Sequence, residues 1–180
     1  MITDLNYIAM DKNHIDLIYG LIISQKPRSI LELGIGSGSL TRRILDGMLY
    51  NEIQSTTFEC VDNFIDWNYN IPDHIGKMHG MNVIVSSEES FVKSCTSKYD
   101  FIVSDADHAN CHRWIKETCS LLNDSGILIY HDVTNQDFPN LKNILTYFNE
   151  LPIMYSTLLF NKSSKTSERC NRGLLIVNKK

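Results

Sequence analysis

The chain has 180 residues, 43% of them hydrophobic and 21% charged, with a formal net charge of −4. That length suffices for one globular unit with its own core. The acidic balance argues against generic binding of a polyanion such as nucleic acid, and no run reaches the roughly 20 apolar residues of a membrane helix.

In chain order, Ile15, Ile18, Tyr19 and Ile22 recur at helical spacing and predict an amphipathic helix over 13–25, ended by Pro27. A short apolar strand (29–33) leads into a glycine-rich loop. A helix follows over 40–50, with Leu40, Ile44, Leu45 and Met48 inward. A strand over 56–61 ends at Asp62, and the mixed segment 63–80 follows, carrying Phe64, Trp67, Tyr69 and His74. Then come a strand (82–85), a short helix (88–94), the strand "YDFIVS" (99–104), a helix (109–122), the turn "NDSG" (123–126) and a strand (127–130) ending in "HDV". A helix over 136–149 precedes two last strands, 153–160 and 173–177, joined by a polar segment with Lys162, Lys165, Arg169 and Arg172 that reads as a solvated hairpin tip. Strands alternating with helices imply a mainly parallel sheet covered on both faces. The last two strands lack a helix between them, so the final strand lies antiparallel in a C-terminal hairpin. Residues 1–180 read as one domain, with 1–27 as an N-terminal helical segment.

Five scattered cysteines (Cys60, Cys95, Cys111, Cys119, Cys170) form no CxxC pair, and "MITDLNYIAMDKN", with an early acid and no continuous apolar core, does not read as a signal peptide. They read as reduced thiols of a cytoplasmic protein.

In "ILELGIGSGSLT" (30–41), Gly34, Gly36 and Gly38 allow a sharp turn and a close backbone approach to a ligand, beside the free amides of a helix start. The spacing is GxGxG, not the GxGxxG of a dinucleotide fingerprint. Glu32 stands where a carboxylate would disfavour a phosphate and tolerate a cation. Asp62 suits a ribose diol, with a loop acid or helix cap as the plainer alternative.

The segments "ILELGIGSGSLT", "ECVD", "YDFIVSDADH" and "SGILIYHDV", in this order, resemble the class I S-adenosylmethionine-dependent methyltransferases. They are most similar to the small O-methyltransferases with an acid-x-acid-His segment after strand four and His-Asp after strand five. The resemblance implies a Rossmann-like three-layer α/β sandwich, with a seven-stranded, mostly parallel sheet and an antiparallel last strand. It implies S-adenosylmethionine as cofactor. Glu32, Gly34 and Gly36 would line its methionine end, with Gly38, Ser39 and Thr41 helping at the helix start. Asp62 would bind the ribose, Ser87 or Glu88 would border the adenine, and Asp105 would sit beside the transferable methyl.

Around strands four and five, Asp105, Asp107, His108, His131 and Asp132 converge on one sheet edge. Two mechanisms stand side by side. In one, Asp105 and Asp132 bind Mg²⁺, which acidifies an acceptor hydroxyl. Metal-dependent relatives place a further ligand directly after the strand-five acid, where this chain has Val133, with Asn135 the nearest asparagine. In the other, His131 or His108 is the general base. A purely structural alternative has Asp107 capping the next helix. His108, Cys111 and His112 invite a zinc reading, disfavoured for want of a fourth ligand. The expected reaction is methyl transfer to a hydroxyl of a small molecule or sugar. A non-catalytic cofactor- or partner-binding relative and an NAD-dependent oxidoreductase are the alternatives. The short cover over the pocket leaves an open cleft, a bulky acceptor or a homo-oligomeric partner to close it.

Overall fold

The structure, a computed structural model, describes residues 10–51, 57–64, 81–151, 155–160 and 172–180. Helix α1 (Lys12–Gln25) buries His14, Ile18 and Ile22, one residue per turn along a single stripe. It stops at Lys26, which adopts a left-handed φ of 52° directly before Pro27.

The remaining elements are β1 (Ser29–Leu33), α2 (Ser39–Tyr50), β2 (Thr57–Asp62), β3 (Met81–Val85), α3 (Glu88–Ser94), β4 (Tyr99–Ser104), α4 (Ile115–Ser120), β5 (Leu122–Tyr130), α5 (Lys142–Glu150), β6 (Tyr155–Phe160) and β7 (Leu174–Lys179). The seven strands form one sheet in the order β3-β2-β1-β4-β5-β7-β6. β1 through β5 pair in parallel, while β7 runs antiparallel between β5 and β6. This is the three-layer arrangement expected from the alternating pattern.

The strand period of two divides the core between the faces. Ile30, Phe58, Phe101, Val103 and Ile129 pack with α1 and α2, whereas Leu31, Leu33, Ile102, Leu128 and Tyr130 pack with α3, α4 and α5. Strands buried on both sides carry near-continuous apolar runs, which is why "YDFIVS" and "ILIY" were legible.

Three boundaries differ from expectation. The helix over 109–122 is a 3-10 turn (Cys111–Trp114) followed by the short α4. The "NDSG" turn lies inside β5, as a register break between the Tyr99–Leu122 and Phe101–Ile127 pairs, with Ser125 at φ 63°. The helix over 136–149 begins late, because Pro139 disfavours helical geometry at Phe138 and opens a 3-10 turn instead. Trp67, Tyr69, His74, Lys162, Lys165 and Arg169 lie outside the described residues. No helix among the described residues is long and apolar enough to cross a membrane.

Candidate active site

A cavity of about 560 Å³ opens at the carboxyl ends of β1, β2, β4 and β5, where the topology of open α/β sheets places ligand sites. Its volume lies in the range of small-molecule and cofactor pockets.

One end is the glycine loop. Gly34, Gly36 and Gly38 all have positive φ (94°, 50° and 74°). Gly34 is required for a second reason: a Cβ there would lie 2.5 Å from the Asp105 carbonyl oxygen. The loop is held by Asp62. Its Oδ2 accepts from the backbone N–H of Ile35 (2.8 Å) and Gly36 (3.3 Å), and its Oδ1 from that of Phe64 (2.8 Å). A carboxylate offers about four acceptor sites, so this one retains capacity for a further donor from the cavity.

Gly34, Gly36, Asp62, Ser87, Glu88 and Asp105 line the cavity, whereas Glu32, Gly38, Ser39 and Thr41 do not. Glu32 is fully buried beneath the loop and accepts from Thr41 Oγ1 (3.1 Å) and Cys60 Sγ (3.3 Å). Burial outweighs those bonds and pushes its carboxyl up to about 8. The charge that the sequence argument set against phosphate is therefore largely absent at neutral pH. Gly38 caps α2, and Ser39 Oγ meets Ser37 Oγ at 2.9 Å. Ser37, not Ser39, borders the cavity. Ser87 caps α3, its Oγ accepting from Ser90 N. Glu88 turns inward, accepting from Ser104 Oγ (2.8 Å) and Asp107 N (3.1 Å), and burial raises its carboxyl.

The other end is a cluster of carboxylates and imidazoles. Asp105 Oδ1 is 2.9 Å from His131 Nδ1 and 3.0 Å from His108 Nε2. His108 Nε2 is also 3.3 Å from Asp132 Oδ2, and its ring stacks on Phe138 at 4.9 Å. Asp132 holds a left-handed φ of 61°, uncommon for a residue other than glycine though Asp is among those that adopt it most readily. Burial opposes charge on Asp105, yet His131 and His108 hold its carboxyl well below the usual range. Asp132 is lowered likewise, burial being outweighed chiefly by His108. Burial pulls the His108 imidazole down, but its bonds to Asp105 and Asp132 outweigh this and raise it to about 10.

The two histidines differ in exposure. His108 has 22% of its side chain exposed and His131 only 1%. Both His131 nitrogens are engaged, Nδ1 with Asp105 and Nε2 with His14 Nδ1 at 3.1 Å. His14 was not singled out in the sequence. The available signal was a histidine four residues before Ile18, on the stripe that α1 buries. Arg172 also departs from the solvated-tip reading. It has 12% of its side chain exposed, its Nε lies 3.6 Å from Asp132 Oδ1, and it lines the cavity. Asp107 Oδ1 accepts from Asn110 N at 3.1 Å within the turn before the 3-10 helix, whose N-cap is Asn110 rather than Asp107. Cys111 is buried in the core, and neither it nor His112 joins a metal-competent cluster among the described residues.

Asp105, His108, His131 and Asp132 each bring a ligand atom within 4.8 Å of the others, but the set does not fit Mg²⁺. That ion asks for six oxygens in octahedral geometry. Here Asp105 Oδ1 is occupied by two imidazoles, Asp132 Oδ2 by His108 and by Asn135 Nδ2 (3.3 Å), and Arg172 stands at Oδ1. Val133 is buried in the core. The His108 imidazole, raised to about 10, and the Arg172 guanidinium already bring positive charge there.

No family model matches the chain. A polyamine aminopropyltransferase from Vibrio vulnificus is 30% identical over 122 residues, which span 61% of this chain and 39% of that relative's length. Among solved structures, an O-methyltransferase from Bacillus cereus in complex with SAH has a TM-score of 0.73 at 15% identity, covering 95% of this chain and 83% of that one. The SAH-bound methyltransferase PaMTH1 of Podospora anserina has a TM-score of 0.74 at 16% identity, covering 96% and 80%. An rRNA methylase from Streptococcus thermophilus has a TM-score of 0.69 at 12% identity, covering 95% and 99%. With the glycine loop, the parallel core of the sheet and the inserted antiparallel β7 in place, the fold is the one these methyltransferase structures have.

Proposed function

We propose that the protein is an S-adenosylmethionine-dependent O-methyltransferase acting on a hydroxyl of a small molecule. The observation that carries this reading is that one cavity joins the Asp62-held glycine loop to the Asp105–His108 pair. The residues present suit the cofactor. Gly34 lets the loop lie directly against the Asp105 backbone while bordering the cavity, and Asp62 retains acceptor capacity for a ribose hydroxyl.

When bound, the cofactor supplies a methyl group already activated on a sulfonium. The chain must then position an acceptor oxygen, exclude water and remove one proton. Both imidazoles border the cavity, but His108 is the more exposed and takes the base role, while His131, engaged at both nitrogens, orients Asp105 instead. Glu32 and Thr41 act from behind the loop by bracing β1 against α2. No metal is needed, and EDTA is expected to leave the rate unchanged, with no gain on adding Mg²⁺. A chelator-sensitive rate restored by Mg²⁺ would contradict this.

The direct test is calorimetric titration of the full chain with S-adenosylhomocysteine and, separately, with NAD. Micromolar binding of the first and none of the second is expected. Binding of NAD alone, or of neither, sinks the reading.

A second reading, alkyl transfer to an amine, is favoured by the similarity to a polyamine aminopropyltransferase and by the acids Asp105, Asp107, Asp132 and Asp137 around the cavity. Product formation with a linear diamine, and none with hydroxylated acceptors, would establish it.

A further inference from the structure

We propose that His14 is a positioning residue of this site: from α1 it holds the His131 imidazole, and through it the Asp105 carboxylate. The methyl-transfer reading is needed only for the use it gives Asp105.

His14 stands 117 positions before His131 and is fully buried. Its Nδ1 is 3.1 Å from His131 Nε2, and the two rings meet edge-on at 77° with centroids 5.2 Å apart. An ionised Asp105 can only accept, so the nearer nitrogen of His131, Nδ1, carries a proton and donates it. The other nitrogen, Nε2, is buried and needs a hydrogen-bond partner. Nδ1–H of His14 is placed to supply it. Asp11 Oδ2, 3.9 Å from that same nitrogen, favours a proton there.

A leucine at position 14 would continue the stripe made by Ile18 and Ile22. A buried imidazole is unfavourable there unless it is hydrogen-bonded, so packing alone does not account for the histidine. Without it, the His131 ring loses one of its two anchors, and Asp105 loses its hold on one of its two imidazole donors.

The test uses full-length chain with ¹⁵N-labelled histidine. Long-range proton–nitrogen correlation reads the His131 nitrogens, and calorimetry reads S-adenosylhomocysteine affinity. In the wild type, Nδ1 should be protonated and Nε2 a hydrogen-bonded lone pair. In His14→Leu, the Nε2 signal should move toward the unbonded position or the tautomer should change, and affinity should fall roughly tenfold. His14→Asn places an amide N–H where Nδ1 stood and should restore both readouts. His14→Gln puts its amide one bond further out and should not. Should His14→Leu fail to fold, the Asn and Gln pair decides alone.

Unchanged His131 signals in His14→Leu, or equal behaviour of Asn and Gln, overturn the proposal. A displaced His131 signal with unchanged affinity overturns the link to Asp105. If the wild type binds no S-adenosylhomocysteine, the methyl-transfer reading fails while the nitrogen signals still judge His14.

Discussion

At the β1–β2 end of the cavity the working surface is backbone. Three glycines with positive φ and the amides of Ile35, Gly36 and Phe64 are gathered on one carboxylate, Asp62. At the β4–β5 end it is side chains, with Asp105, His108, His131 and Asp132 sharing hydrogen bonds that reach back to α1. The first end depends on conformations that only certain residues adopt. The second depends on charges balanced against one another in a buried setting, where removing one partner leaves the others uncompensated. A ligand spanning both would meet a pre-shaped wall at one side and a titrating cluster at the other.

Gly34→Ala should have the largest effect, because it strikes both ends at once. The added Cβ meets the backbone of Asp105, which cannot swing aside, at a φ of 94°. S-adenosylhomocysteine affinity should fall by roughly 100-fold or more and the melting temperature by several degrees, read by calorimetry and thermal unfolding. A variant that binds and melts like the wild type would show the two ends to be independent.

Confined to the side-chain end, His108→Gln should lower turnover about 10²- to 10⁴-fold and change S-adenosylhomocysteine affinity little. Its pH profile is the sharper readout. The base form is the neutral imidazole, and the group is raised to about 10, so the wild-type rate should climb from pH 7 toward pH 10. A flat wild-type profile, or a slope surviving in the glutamine variant, would remove His108 from the base role. The same shift bears on stability. The His108 ion pairs contribute fully below the unfolded imidazole value and are lost as pH rises through about 10.

Confined to the backbone end, Asp62→Asn should weaken binding roughly tenfold, since the amide has one acceptor oxygen for a loop that uses two. Affinity equal to wild type would shift the hold on the ribose and the loop elsewhere.

The smallest effect belongs behind the loop. Glu32 is raised to about 8, so the folded state keeps its proton while the unfolded state loses it as pH rises from about 4.5. Stability from this group is complete below that value and falls away as pH approaches 8. Glu32→Gln should therefore raise the melting temperature by about 2–4 °C at pH 9 and change it little at pH 5. A gain independent of pH would mean that Glu32 does not titrate there.

The glycine loop, Asp62 and the strand ends were legible because each is local. A positive φ wants glycine, a buried strand wants a continuous apolar run, and a parallel strand must finish at the ligand edge. The capping duty of Ser87 was within reach for the same reason. What was not legible is direction. The strand-end motifs and the family resemblance placed Glu32, Thr41 and His131 near the site, but they did not tell that Glu32 and Thr41 turn behind the cavity wall. Arg172 was read with its polar neighbours, yet it precedes Gly173, whose carbonyl binds Val133 N and so brings it against Asp132.

The sequence by itself determined the order of elements, the antiparallel last strand and the kind of chemistry gathered at the sheet edge, because backbone preference and hydrophobic period act over a few residues. Only the tertiary structure decided that His131 is enclosed by His14 and Asp105 while His108 stays the more exposed, and that burial raises the Glu32 carboxyl under the loop. Those outcomes depend on burial and on partners up to 117 positions away. No local pattern encodes them, since the same histidine is a base when solvent reaches it and a brace when two neighbours enclose it.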